Sequence, residues 1–380
     1  MLDVGGGPDR QWAVFLEAVD RFDVLHFHFR QSLLMPGWTG LPPFWDLPVY
    51  RALGKRVFFT FHGSDVRTRR VQERIDPWSR ERLADVPTDD DRTEKELQII
   101  RTYADRMYVA SVLLLPFVPD AEYLPRVIDL AEWPELPAPR HARPVILHVA
   151  AHPTIKGTPM IRAGLQRLAD DGLDFELRVL EGVPHAEVRA AIADADILVD
   201  NVIAGSYGIS GMEAMASGRV AVANLSADVL AAHPDCPVVN VDPTTFGDAM
   251  RRLIADPDER SRRAAAGRAF VARVHDAPVI AARLVEAYTA EPARVRWTMP
   301  DWVAFNSRRG YERLEATAAR LQVDLAAARL EEASYRRRLG LPPTVPGPSA
   351  RPLRRSKVRA VVRAILPEAI RRRLRRLRRR

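Results

Sequence analysis

At 380 residues the chain is long enough for two domains with separate cores, and its 47% hydrophobic and 28% charged residues are the balance of a soluble globular protein. A single cysteine, Cys236, excludes an intramolecular disulfide and fits a reducing cytoplasm, no apolar run reaches membrane-spanning length, and the N-terminus lacks the basic and apolar regions of a signal peptide. The net charge of +8 belongs to the tail: residues 351–380 hold fourteen Lys or Arg against one acid, a balance of +13 that leaves −5 for residues 1–350 and argues against a nucleic-acid-binding core.

In chain order, Gly5-Gly6-Gly7 reads as a loop entering a helix over Gln11–Val19. Strands are predicted over Phe22–Phe29 and Arg56–Phe61, the second running into His62-Gly63-Ser64-Asp65. Between them Leu47–Leu53 reads as a short helix closed by Gly54. Residues 66–96, rich in Arg, Asp and Glu, read as a surface insertion or lid. A helix over Leu97–Ala104 leads to a strand over Arg106–Ala110. Leu113–Pro116 and the Pro-rich segment Pro134–Pro144 mark a crossing between domains.

The second half opens with a strand over Val145–Ala150. Thr158 as N-cap and Pro159 then start a helix with Ile161, Leu165 and Leu168 on one face. A strand over Phe175–Leu180 and a helix over Pro184–Ala193 lead to the most informative stretch, Asp194–Asn224. Ile197–Val199 is a buried strand, residues 205–211 a loop with three glycines, Met212–Ser217 a helix stopped by Gly218, and Val220–Ala223 a further strand. Strand, Gly-rich loop, helix and strand form a βαβ arrangement whose loop amides and helix start suit a phosphate-bearing ligand. A structural reading stands beside this one. Ser210-x-x-Glu213 is a capping-box signature, the glycines can serve tight turns alone, and the spacing leaves the two readings evenly matched. A strand over Val238–Val241 and helices over Thr244–Ala255 and Asp258–Val274 complete a doubly wound parallel sheet.

From Tyr311 to Arg338 the residues Leu314, Ala318, Leu321, Leu325 and Ala328 form a heptad seam, broken at Glu332 and resumed at Tyr335. It fits packing against the body or a homodimeric coiled coil. Leu341–Pro352, with five prolines, is a linker. In Lys357–Arg380, Val358, Val361, Ile365, Ile370 and Leu374 fall near helical spacing among arginines, the composition of a helix lying on an anionic membrane surface. Nucleic-acid binding is the alternative there, but aromatics for base stacking are absent.

The stretch containing Ser206-Tyr207-Gly208, Glu213-Ala214-Met215-Ala216-Ser217-Gly218 and Val220–Ala223 resembles the donor-site signature of glycosyltransferase family 4, enzymes of the GT-B fold. The resemblance implies that Glu213 holds the nucleotide ribose, and that Lys156 and the amides around Tyr207, Gly208 and Ile209 hold the donor diphosphate. Two positions depart from the pattern. Gly205 stands where the family has an acid that touches the donor sugar, with Asp200 the acid just upstream. Ala151, with His152 beside it, stands where the family usually has an Arg. Asp23-Val24-Leu25-His26-Phe27-His28 and Thr60-Phe61-His62-Gly63 resemble the acceptor-side domain of the same family. There His62 would lie beside the transferred sugar, with His28 and Asp65 as further candidates. Family members have further strands between their first glycine loop and the Asp-Val-x-His strand. The N-terminal domain is therefore read as incomplete, either because the true start lies upstream of Met1 or because the domain is reduced.

The expectation is thus an α/β, GT-B-like chain of two Rossmann-like doubly wound domains facing a cleft. Residues 1–140 would form the acceptor side and 141–290 the nucleotide-sugar side, with Val279–Tyr288 crossing back. A helical extension (291–340), a linker (341–356) and a basic amphipathic tail (357–380) would follow. The resemblance implies a retaining, metal-independent glycosyltransferase without a cofactor. It would use a nucleotide-sugar donor and a glycan or lipid-linked acceptor of the cell envelope, and work as a peripheral protein at the inner face of the membrane. Rival expectations are a nucleotide-sugar epimerase of the same fold and a non-catalytic scaffold.

Overall fold

The computed structural model describes residues 8–34, 43–78 and 89–291. The heptad seam, the Pro-rich linker, the basic tail and Gly5–Gly7 lie outside the described residues. The described residues divide into two compact units, one formed by those within 8–60 and 94–107 and the other by those within 61–93 and 108–290.

The first sheet has the order β1-β2-β3-β4, formed by Val24–His28, Arg56–Phe61, Arg106–Val109 and Glu122–Tyr123. β1 and β2 run parallel, with Val24 opposite Arg56 and His28 opposite Thr60. In β2, Val57, Phe58, Phe59 and Phe61 are fully buried, as expected for a parallel strand covered on both faces. In the first unit, helix α1 (Pro8–Arg21) buries Val14, Phe15, Ala18 and Val19, and Phe15 meets Tyr50 of α2 (Leu47–Ala52) at 5.5 Å between ring centroids. The buried Asp46 ahead of α2 gathers the loop before it, accepting from Ser32 Oγ at 2.6 Å, Leu33 N at 3.0 Å and Tyr50 Oη at 3.0 Å.

The charged region 66–96 is not simply a surface insertion. It contains α3 (Arg69–Ile75) and the start of α4 (Asp90–Tyr103). The Asp90 carboxylate accepts the first amides of α3, Arg69 N at 2.8 Å and Arg70 N at 2.9 Å, so part of its charge serves a helix start. Trp78 packs against the apolar core of the second sheet. Apolar periodicity missed these elements because their starts are held by carboxylates, that of α3 by Asp90 from the next helix and that of α4 by the adjacent Asp89, which accepts Arg92 N at 3.0 Å.

The second sheet is wholly parallel, with order β6-β5-β7-β8-β9 from Glu176–Glu181, Val145–Ala150, Ile197–Val199, Val220–Ala223 and Val239–Asn240. Its strands alternate between two cores. Ile146, Ile197, Val199, Val220 and Val222 face α6 (Thr158–Asp170) and α10 (Phe246–Ala255). Leu147, Leu198 and Ala221 face α7 (His185–Asp194), α8 (Ile209–Ala216) and α11 (Pro257–Val274). A short helix α5 (Pro153–Lys156) precedes α6, and α9 (Ala227–Ala232) and α12 (Ala277–Thr289) complete the unit. The Pro-rich segment is fastened to it. The buried Arg260 donates to Pro139 O at 3.1 Å and His141 O at 2.6 Å, and the buried Arg219 to Pro137 O at 2.6 Å.

The order 6-5-7-8-9 places a topological switch point between β5 and β7. From β5 the chain winds first to one side and then to the other, leaving a crevice outside the carboxyl ends of these two strands.

Candidate functional site

Both segments that leave that crevice carry charge. β5 ends at Ala150 and the chain turns through Ala151 and His152 into α5, which Pro153 starts and Gly157 ends at φ +74°. A Cβ on Gly157 would lie 2.8 Å from Val202, so this turn needs glycine for space as well as for handedness. The turn directs Lys156 back over the sheet edge. Its Nζ donates to Val149 O at 2.9 Å, Asp200 Oδ1 at 2.7 Å and Ser210 Oγ at 2.9 Å, which accounts for all three ammonium hydrogens.

Asp200, just past β7, is fully buried. Besides Lys156, its carboxylate accepts from Ser210 Oγ at 2.6 Å, from Asn201 Nδ2 at 3.0 Å and from the Gly208 amide. Burial by itself would raise its pKa. The Lys156 ammonium and the hydrogen bonds from Lys156, Ser210 and Gly208 more than offset this and hold it down at about 2. The start of α8 is thus faced by an internal anion, itself neutralised by Lys156.

Asn201 shapes the loop that follows, donating to Ser206 O at 3.0 Å and accepting Ala204 N at 2.9 Å. Gly205 has φ +76°, its amide donates to Asn224 Oδ1 at 3.0 Å, and a Cβ there would lie 3.2 Å from Leu113. An acid at this position would need a left-handed backbone and space that Leu113 occupies. Tyr207 is buried, its hydroxyl paired with His275 Nε2 at 2.8 Å, so it offers its backbone rather than its ring to a ligand in the crevice. Ile209, the first residue of α8, is 57% exposed.

Helix α8 starts three residues earlier than its composition suggests, at Ile209 rather than Met212. Ser210 therefore lies inside the helix, and the capping box does not form: Ser210 Oγ bonds Asp200, and Glu213 reaches His185 Nε2 at 2.7 Å. Glu213 is buried while His185 is 65% exposed. Burial raises the Glu213 pKa, with His185 and Lys156 acting in the opposite sense. Thr158 is likewise no N-cap. It is the first residue of α6, after Gly157, and its hydroxyl meets the buried His148 Nε2 at 2.8 Å.

Lys156, Asp200, Gly208, Ser210 and, one turn into α8, Glu213 therefore form one cluster at the switch point. The exposed His152 contributes its carbonyl to α5. His62 and Asp65 occupy the turn after β2, where the Asp65 carboxylate reaches back to accept His62 N at 3.1 Å and Gly63 N at 2.6 Å and so closes the turn. His28 ends β1, its ring stacked on His26 at 5.1 Å, and His26 Nε2 meets Thr60 Oγ1 at 2.7 Å. Three residues that contact this cluster and its loop were not among the expected site residues: Asn201, His185 and His275. His185 stands at the start of a predicted helix, a visible signal. Nothing local marks His275. Among the described residues no group of three or more His, Cys, Asp or Glu side chains is placed to hold a metal ion.

No family model and no curated protein sequence matches the chain. Among solved structures, sucrose-phosphate synthase from Thermosynechococcus elongatus matches with TM-score 0.54 at 16% identity, covering 73% of this chain and 76% of that one. The catalytic domain of starch synthase IV from Arabidopsis thaliana, bound to ADP and acarbose, matches with TM-score 0.47 at 14% identity over 75% and 78%. A variant of S. aureus TarM in complex with fondaparinux, alpha-GlcNAc-glycerol and UDP matches with TM-score 0.47 at 10% identity, over 62% of this chain and 51% of that one. At such identities the likeness concerns architecture. The mixed α/β chain with its two parallel sheets has the fold of the GT-B glycosyltransferases.

Proposed function

We propose that the protein is a glycosyltransferase that takes a sugar from a nucleoside-diphosphate donor bound at the β5–β7 switch point. The observation that carries this reading is the placement of Lys156, the start of α8 and Glu213 on one crevice at the carboxyl edge of a doubly wound sheet. The donor diphosphate would lie on the α8 amides and accept from Lys156 in place of Ser210 or Val149. Glu213 would accept the ribose hydroxyls, and the exposed His185 is free to swing aside. A lysine and helix-end amides supply the counter-charge, so the reaction we propose needs no metal and no cofactor.

Transfer would proceed with retention, with His62 near the transferred sugar, to a glycan or lipid-linked acceptor of the envelope. The basic tail would hold the protein at the inner face of the membrane. The rival is a non-catalytic binding protein, favoured by Gly205 at the acidic position and by a Lys156 whose three hydrogens are already taken.

The test is thermal unfolding of the full chain with UDP, GDP, ADP and their sugars, beside Glu213→Gln. A nucleotide at 100 times its Kd should stabilise by about 2.7 kcal/mol. A shift from one nucleotide series that Glu213→Gln loses, together with release of free nucleotide on addition of a membrane fraction, supports the transferase. A well-folded protein that no nucleotide shifts would sink it.

A further inference from the structure

Two phenylalanines of the first unit hold an unusual backbone. Among the described residues only Phe29 and Phe44 combine a side chain with a positive φ, at +62° and +59°. The left-handed region presses Cβ against the backbone and makes a bulky residue there an outlier. Some other contribution must offset that cost at each position. For Phe44, ahead of α2, it is burial: the side chain is withdrawn from water and its ring lies edge-on to Phe59 at 6.3 Å. For Phe29 burial offsets far less. Its neighbours in the strands, Phe27, Phe58, Phe59 and Phe61, are all buried, whereas Phe29 is 48% exposed.

This strain is held at the carboxyl end of β1. Phe29 N donates to Thr60 O at 2.9 Å, so the ladder with β2 continues one residue past His28 before the chain turns. Glycine or asparagine would make that turn at lower cost. The half-exposed ring therefore stands at the edge where open parallel sheets receive their ligands. Its surroundings in the chain are polar. His28 is exposed, with its ring stacked on His26 at 5.1 Å, His26 Nε2 meets Thr60 Oγ1 at 2.7 Å, and Arg30 Nε pairs with Glu96 at 2.8 Å. An aromatic face among hydrogen-bonding groups suits a sugar, whose C–H face can lie on the ring while its hydroxyls meet the polar rim. A lipid chain calls for contiguous apolar surface, which His28 and Arg30 interrupt on either side.

We infer that Phe29 is the platform on which a sugar ring of the acceptor stacks, so that the acceptor presents a saccharide, and not a lipid phosphate, to the first unit. The inference rests on the transferase reading above and narrows its acceptor. Backbone strain that persists at an exposed residue fits a ligand clamp, where the conformation is kept for what it presents to the ligand. Phe44 is the internal contrast, with the same backbone and a buried ring.

Binding of disaccharides to the full chain tests this without any nucleotide. The probes are maltose, cellobiose, mannobiose and chitobiose, with farnesyl phosphate as the lipid probe, each read by saturation-transfer NMR on wild type, Phe29→Gly, Phe29→Ala and Phe29→Trp. At least one disaccharide should bind, with transfer strongest at its ring C–H protons. Both small replacements should weaken it about tenfold, the effect of one aromatic contact, and Phe29→Trp should keep it. Thermal unfolding supplies the control. Phe29→Gly relieves the left-handed backbone and should melt within about two degrees of wild type and above Phe29→Ala, whereas Phe44→Gly empties a buried position and should melt more than about five degrees lower. A Phe29→Gly protein that melts as low as Phe44→Gly overturns the inference by making the ring a packing residue. Failure of every disaccharide, binding that survives Phe29→Gly, or Phe29-dependent binding of farnesyl phosphate alone overturns it too, and each leaves the donor reading standing. A disaccharide held through Phe29 by a protein that no nucleotide shifts ends the acceptor role together with the donor reading.

Discussion

The two sheets begin their central strands with the same device and end them differently. Ala104-Asp105 leads into β3 and Ala195-Asp196 into β7. Asp105 N donates to Val57 O at 2.7 Å and Val57 N returns a bond to the Asp105 carboxylate at 2.7 Å. Asp196 N donates to Val145 O at 2.9 Å and Val145 N returns one at 2.8 Å. Each carboxylate thus closes a reciprocal pair that extends a parallel ladder by one residue and fixes its register. At the carboxyl ends the likeness stops. β3 gives way to Ala110 and Ser111, where Ser111 Oγ merely caps a 3-10 turn. β7 gives way to Asp200, Asn201 and the loop that carries the Lys156 cluster. Strand starts therefore hold the frame in both sheets, and the buried Lys156–Asp200 cluster is built at the exit of β7.

The sharpest way to break this contrast is to remove the cation at that exit. Lys156→Met leaves Asp200 buried without its ammonium partner, and losing one member of a buried pair costs about 3–5 kcal/mol. Chemical denaturation should show this as a lower midpoint, and Lys156→Met/Asp200→Asn should recover much of it. A loss under about 1 kcal/mol would mean the pair is solvated. Next come the strand starts. Asp105→Asn leaves Arg51 and Arg56 without their shared acid, whereas Asp196→Asn removes the direct partner of an exposed His141 and a more distant charge acting on the buried Arg219 and Arg260. We expect about 3 kcal/mol for the first and about 1–2 kcal/mol for the second. Equal losses would show that the reciprocal backbone pair dominates both sites.

Titration separates the two ends of the second sheet by pH. The folded pKa of Asp200 lies at about 2, below its ordinary 3.8. Its contribution, about 2 kcal/mol, is complete above pH 4 and is lost as pH falls towards 2. His275 is held at about 4 against 6.5 by burial, so unfolding takes up a proton between those values. His275 should contribute about 2 kcal/mol to the fall in stability from pH 6.5 to 5, so the slope should be shallower by that amount in His275→Gln, with the remaining slope left to His28, His148 and His233, whose pKa values burial also lowers. Parallel slopes in the two proteins would exclude His275 as the titrating group.

The second sheet was legible almost throughout, because its buried strands are short apolar runs set off by glycine, and its helices carry long apolar faces. What failed was hydrogen bonding at a distance. The Ser210–Glu213 spacing read locally as a capping box, but Asp200, ten residues upstream of Ser210, claims the serine, and His185 claims the acid. Likewise Asp90 caps α3 from twenty-one residues away, so a region of high charge concealed two helices. Lys156 and Glu213 could be named from their resemblance. That Lys156 is already saturated by protein acceptors is a fact of three-dimensional pairing that no local pattern carries.

The smallest predicted effect bears most directly on function. His185 sits over Glu213 but is 65% exposed, so the pair is solvated on one side, and His185→Ala should cost at most about 1 kcal/mol in denaturant midpoint. If Glu213 receives a ribose, His185 must give way, and the alanine variant should bind nucleotide as well as wild type or slightly better. Glu213→Gln, equally mild for folding, should lose the nucleotide-induced rise in Tm. The two variants thus share one hydrogen bond and diverge in ligand response. If they lose nucleotide binding together, His185 belongs to the ribose site and is not a placeholder in it.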